Sequence, residues 1–148
     1  MSLTRARVLE YLSDMHLEQD ASRHFSQLSG GQQKRLSLLI ATIHDPGLVL
    51  LDEPTAGLDP QARRQLWDRI ESIRKTGRSI LLTTHSMEEA QSVCDQVAIM
   101  DRGRILTQDT PTGLIEKHKD DPAVRAVARG QVTLEDVFIG LTGSDVRE

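Results

Sequence analysis

Disulfide chemistry is the first thing this sequence excludes: Cys94 is its single cysteine, and one thiol cannot close an internal bridge. Such sparing use fits a reducing cytoplasm. Cys94 itself reads as a small buried side chain in a helix. Long apolar runs are missing as well. The longest nearly apolar segment, residues 36–43, is far shorter than the roughly 20 residues a bilayer-spanning helix takes. No signal peptide is expected, because residues 1–10 carry charges where an apolar run should stand. No charge of one sign is concentrated anywhere. The formal net charge of −4 argues against a nucleic-acid binder held by broad electrostatics. Internal repeats and low-complexity tracts are absent, and 148 residues make one domain's worth of chain.

What the sequence does contain is organised around residues 48–59, Leu-Val-Leu-Leu-Asp-Glu-Pro-Thr-Ala-Gly-Leu-Asp. Four consecutive apolar residues between turn signals predict a short strand buried on both faces, as in a parallel sheet. Asp52 and Glu53 follow at once, and Pro54 stops the ladder. Side chains alternate along a strand, so the two carboxylates would point differently around the crevice where α/β sheets bind ligands. Acidic residues also end strands simply because strand ends meet water. The same pair suits phosphoryl transfer, one carboxylate for Mg²⁺ and a second group to orient an attacking water.

Upstream, Val8, Leu9, Leu12 and Met15 recur at helical spacing and predict an amphipathic helix. A polar connection over residues 18–27 follows, with His16 and His24 read as surface residues. Leu28-Ser29-Gly30-Gly31-Gln32 then opens a helix running to about His44. A capping box explains Ser29 and Gln32, but not two glycines, each costing up to about 1 kcal/mol inside a helix and less in the first turn. Bare backbone at a helix start also admits an anion such as phosphate. Cap and phosphate site both fit this stretch.

Downstream, Asp59-Pro60 starts a helix with Leu66, Trp67, Ile70 and Ile73 inward and Gly77 as its stop. Asp59 is thereby fully explained as an N-cap. Residues 79–84 predict a second buried strand, with His85 at its carboxyl end, the same sheet edge as Asp52 and Glu53. Ser86 and Glu89 form a capping box for a helix from Met87 to about Asp95. Short strands at 97–100 and 104–108 flank a hairpin turn, Asp101-Arg102-Gly103. Thr110-Pro111 begins a helix to about His118, residues 119–121 read as a linker, and Thr133 and Gly143 bound a final short helix.

Taken in order, these pieces closely resemble the nucleotide-binding subunit of an ABC transporter. Residues 28–32 match the signature motif of that family without a change. Residues 48–53 are similar to its Walker B strand, Ala56-Gly57-Leu58-Asp59 to its D-loop, and His85 in Thr83-Thr84-His85 to its switch histidine. The resemblance runs from about Val8 to about His118, and Thr-Leu-Glu-Asp-Val-Phe at 133–138 is similar to the tail of exporter-type members. It implies an α/β fold, a partial P-loop NTPase with a mostly parallel sheet and flanking helices. It also implies ATP and Mg²⁺ as ligands. Ser29, Gly30, Gly31 and Gln32 would contact, in trans, the γ-phosphate of ATP held by a second nucleotide-binding domain. Asp52 would hold Mg²⁺ through water, Glu53 would polarise the attacking water, His85 would touch the γ-phosphate, and Asp59 would tie the two domains together. A membrane permease would be the other partner, placing the chain peripherally on the cytoplasmic face, with no nucleic acid involved.

One absence qualifies this resemblance. No Gly-x-x-x-x-Gly-Lys-[Ser/Thr] loop occurs in the chain, so the backbone and lysine cradle for the β- and γ-phosphates is missing. The chain looks like the second half of such a domain: residues 1–28 as the end of a helical subdomain, 29–118 as the C-terminal half of the nucleotide-binding domain, and 119–148 as linker and short C-terminal helix. Its sheet should then have bare apolar faces, and the chain alone should bind ATP weakly and hydrolyse it negligibly. A truncated gene, an expression fragment or a half-domain working beside a separate N-terminal half all fit. A non-catalytic module that only associates with a complete domain is the rival reading. Chromosome-maintenance ATPases share similar motifs, but their long heptad segments are not found here.

Overall fold

The computed structural model describes residues 4–143, and it is α/β. In chain order the elements are α1 (Arg5–Asp14), α2 (Gly30–Thr42), β1 (Leu48–Asp52), α3 (Pro60–Lys75), β2 (Ser79–Thr83), α4 (Met87–Val93), β3 (Val97–Asp101), β4 (Arg104–Asp109), α5 (Pro111–His118), α6 (Pro122–Val127) and α7 (Leu134–Thr142). Two 3-10 turns, Glu18–Asp20 and Phe25–Gln27, shape the connection before α2. The chain divides into two compact units, Met1–Thr83 and Thr84–Glu148.

In the first unit, helices α1 to α3 make the core. Met15, Leu17, Leu38, Leu39, Leu66, Ile70 and Ile73 are buried together, with Leu51, Leu58 and Ile80 packed against them. Spacings of four and three put Leu66, Ile70 and Ile73 on one stripe of α3. Trp67, expected on that inner face, lies on its flank and is only half-buried. Gly77, at φ +88°, ends the segment as expected.

Strands β1 and β2 pair in parallel, in register from Leu48 opposite Ser79 to Asp52 opposite Thr83. Neither is buried on both faces, contrary to the reading of their apolar runs. Val49 is 3% exposed, but Leu48, Leu50 and Leu81 are 55%, 67% and 63% exposed. The reason is layering: the core cluster covers one face of the pair, and nothing among the described residues covers the other. The bare apolar face expected of a partial sheet is therefore present.

The second unit is built around a hairpin. Strands β3 and β4 are antiparallel and joined by Arg102-Gly103, both at positive φ, 46° and 76°, the two-residue turn that suits strand twist. Helix α5 packs on β4, and α7 packs against α4, α5 and α6, so that Ile99, Leu114, Val124, Val132, Leu134 and Val137 are buried with Ala90 of α4. This core joins residues on both sides of position 118. Helix α6, with Asp121 as N-cap and Pro122 in its first turn, was not expected; its six residues are too few to show a period. Gly140 lets α7 close on α6, since a Cβ there would stand 2.7 Å from Val124 Cα. Cys94 is half-buried and terminates α4 in extended conformation rather than lying inside the helix. Burial, and then the nearby Glu89 and Asp95 carboxylates, push its thiol pKa up.

Candidate functional site

The site is assembled from two helix starts and one strand end in the first unit. At the head of α2, Ser29 is the N-cap: its Oγ accepts from Gln32 N–H at 3.3 Å, and its own N–H donates to Gln32 Oε1 at 2.8 Å. Gln32 also donates from Nε2 to Asp20 Oδ2 at 2.6 Å, fixing the preceding turn to the cap. Gly30 is exposed, with nothing within 4 Å of where a Cβ would sit. Gly31 has a packing reason the sequence did not show: a Cβ there would lie 3.2 Å from Ala62 Cβ. That close approach brings the starts of α2 and α3 side by side. Asp59 caps α3, its Oδ1 accepting from Ala62 N–H at 2.9 Å. Two positive helix ends therefore lie next to each other.

At the carboxyl end of β1 both acids are exposed. Thr83 Oγ1, opposite on β2, donates to Asp52 Oδ1. Glu53 N–H extends the ladder by one residue, donating to Thr83 O at 3.0 Å and to Thr83 Oγ1 at 3.2 Å. The chain then turns sharply, because Glu53 takes φ +42°, a left-handed conformation uncommon for a residue with a Cβ. Glu53 O accepts from Ala56 N–H at 3.2 Å and from Lys34 Nζ at 3.1 Å. Pro54 and Thr55 are buried beneath this bend.

A cavity of about 440 Å³ opens between these parts, lined among others by Gly30, Lys34, Asp52 and Gly57, with Leu38 and Leu50 among its apolar walls. It brings together Gly30 and Asp52 of the expected residues. Ser29, Gly31, Gln32, Glu53 and Asp59 stand around it without lining it. His85 belongs to the second unit, where it is exposed, directly ahead of the N-cap Ser86 of α4. Ser86 Oγ accepts from Glu89 N–H at 3.2 Å, and the Glu89 side chain is fully buried.

Sequence reasoning missed Lys34 and Thr83 as members of this site. Thr83 was legible in principle, as the last residue of a strand in parallel register with the one that ends in Asp52. Lys34 carried no such signal, since its reach across to Glu53 depends on how α2 lies over β1. Among the described residues no group of three or more His, Cys, Asp or Glu side chains is placed to hold a metal. Asp52 with a hydroxyl beside it still suits Mg²⁺, which binds through one or two carboxylates, water and substrate phosphates rather than an all-protein cage.

Comparison with known proteins gives a consistent picture. The family model described as "AAA domain, putative AbiEii toxin, Type IV TA system" matches residues 3–90. The Nod factor export ATP-binding protein I of Burkholderia orbicola (strain AU 1054) is 45% identical over 112 residues, 76% of this chain and 37% of that protein. Its namesake in Paraburkholderia xenovorans (strain LB400) is 39% identical over 132 residues, 89% of this chain and 43% of that protein. A solved ATP-binding cassette of an ABC transporter, in its ADP conformation, superposes with a TM-score of 0.69 at 23% identity, over 84% of this chain and 49% of that one. The fold is thus that of part of a P-loop NTPase, and the chain spans less than half the length of these curated relatives.

Proposed function

Since the chain belongs to the AAA-domain family and is part of an ABC transporter ATP-binding domain, we propose that it is the signature-bearing half of the subunit that binds and hydrolyses ATP to drive an exporter. The observation that carries this reading is the placement of exposed Asp52 and Glu53 at the carboxyl end of a parallel strand, beside the open Gly30 at the start of α2. Export is favoured by the names of the relatives, which are Nod factor export proteins.

In this reading Ser29, Gly30, Gly31 and Gln32 present a hydroxyl, backbone N–H groups and a helix dipole to the γ-phosphate of ATP bound by a partner domain. Asp59, at the adjacent helix start, lies where it can join the two domains of a dimer. Asp52 would hold Mg²⁺ through water, its carboxylate oriented by the Thr83 hydroxyl; bound there, the ion neutralises charge developing on the phosphate oxygens. Glu53 orients the attacking water and accepts its proton, and His85 supports the γ-phosphate. Chemistry of this kind is mainly positioning and charge stabilisation, so it needs every group assembled at once. A permease in the membrane would receive the work, with the subunit held peripherally on the cytoplasmic face; no helix among the described residues is long and apolar enough to cross a membrane.

A second reading is favoured by the missing Gly-x-x-x-x-Gly-Lys-[Ser/Thr] loop: the chain associates with a complete domain, or with a separate N-terminal half, and does no hydrolysis of its own. Titrating a fluorescent ATP analogue and measuring phosphate release tests both. The pure chain is expected to bind weakly and release no phosphate. Added to a complete ABC ATP-binding domain, it should change that domain's rate, and Gly30→Ala should cancel the change. Tight binding with turnover by the chain alone overturns the half-domain account, and an effect that survives Gly30→Ala overturns the signature's role in trans.

A further inference from the structure

The left-handed bend at Glu53 requires something to hold it. A residue with a Cβ at φ +42° crowds its own carbonyl, and such conformations persist where surrounding bonds over-determine them. Thr83 holds the amide side, and Ala56 N–H and Lys34 Nζ hold the carbonyl side, at 3.2 and 3.1 Å. Of these donors Lys34 carries the charge, and a hydrogen bond from an ammonium is stronger than one between neutral groups. Lys34 is also the one that comes from α2, five residues beyond the cap Ser29, and it is half-buried along the cavity wall. Its Nζ reaches the bend from there.

From this we infer that Lys34 is a positioning residue for Glu53: it fixes the peptide after Glu53 in the conformation that aims the Glu53 side chain, and ties that aim to the head of α2. The inference rests on the reading above for what Glu53 does, but not for how it is held. A displacement of the Ser29-Gly30-Gly31 end of α2 would therefore be felt at Glu53 through the Lys34 side chain.

Hydrogen–deuterium exchange of the full chain, read residue by residue by NMR, tests this. Lys34→Met keeps the stem and removes the donor; Lys34→Arg keeps a charged donor. Exchange of the Glu53 amide should speed about tenfold in Lys34→Met and stay within about twofold of the parent in Lys34→Arg, the range expected for loss of one charge-assisted bond at a local opening. The strong intraresidue N–H to Hα contact that marks positive φ should weaken in Lys34→Met only. Leu66 and Ile70 amides serve as the control for the core; if they loosen in Lys34→Met, Lys34→Gln, too short to span the gap, is read in the same way. Unchanged exchange at Glu53 without the donor, or an arginine variant as fast as the methionine one, overturns the assignment. Neither measurement needs turnover, so the hold can fail while the Gly30→Ala mixing result stands, and the reverse.

Discussion

The two strand pairs of this molecule are bare on one side in unlike ways. Strands β1 and β2 run parallel, join residues 31 apart in sequence, and leave Leu48, Leu50 and Leu81 open. Strands β3 and β4 form a hairpin closed by two residues, and leave Met100 and Ile105 open, at 56% and 59%. An antiparallel pair commonly keeps one wet face; a parallel pair is ordinarily covered on both. The same apolar exposure is therefore an ordinary, if costly, feature of the hairpin and an incomplete layer in the parallel pair. The acids of the candidate site sit at the end of the incomplete one.

Truncating each unit's own core is the strongest way to break this comparison. Leu66→Ala in the first unit and Leu114→Ala in the second remove side chains that are 1% and 0% exposed, and each should cost about 2 to 5 kcal/mol. Urea unfolding followed at the amides of β1 and β2, and separately at those of β3 and β4, reads the two effects. If Leu66→Ala leaves the β1 and β2 amides as protected as before, that strand pair does not depend on the helical core of its unit.

Glycine replacement gives a smaller and sharper contrast. Gly140→Ala would drive a Cβ to 2.7 Å from the Val124 backbone and should cost about 1 to 3 kcal/mol. Gly30→Ala meets open space, so its free energy of unfolding should stay level or rise slightly, by at most about 1 kcal/mol from helix propensity. A loss of stability in Gly30→Ala would mean that its place at the helix start is structural rather than functional.

The smallest effects are in pH, and they run in opposite directions in the two units. Cys94 holds its proton more tightly folded than unfolded. Its contribution is intact below the ordinary thiol range and is lost as pH rises through the raised value. The second unit should lose stability on the alkaline side, and Cys94→Ala should flatten that slope. Glu71 of the first unit is held below the usual carboxylate range by its hydrogen bond to Arg74 and by the charges of Arg74 and Lys75. Its contribution is present above that range and fades as pH falls through the lowered value; being only partly buried, it should be weakened further by added salt. Equal slopes in parent and Cys94→Ala would remove the thiol from the account.

The caps were readable because they are local. Ser29, Asp59, Thr110, Thr133 and Gly143 each act within a few residues of themselves, and each is found in its expected role. The hairpin turn was readable for the same reason. Burial was not: Leu48 to Leu51 looks the same in sequence whether a second layer covers the strand or not, and Trp67 gives no sign that the stripe of α3 passes beside it. The site divides along the same line. Asp52 and Glu53 announce themselves by following an apolar run, whereas Thr83 and Lys34 join them only through strand register and helix placement.

By itself, then, the sequence determined where most helices and strands begin and end, though not α6, which residues carry acids and open glycines, and that one phosphate-cradling loop is absent. Those properties depend on torsional preference and on hydrogen bonds spanning three or four residues. Tertiary structure alone decided that one face of the parallel pair stays open, that Gly31 lets α2 and α3 touch, and that Lys34 reaches Glu53. Each of those is a distance between segments far apart in the chain, set by how layers pack, and no local preference encodes it.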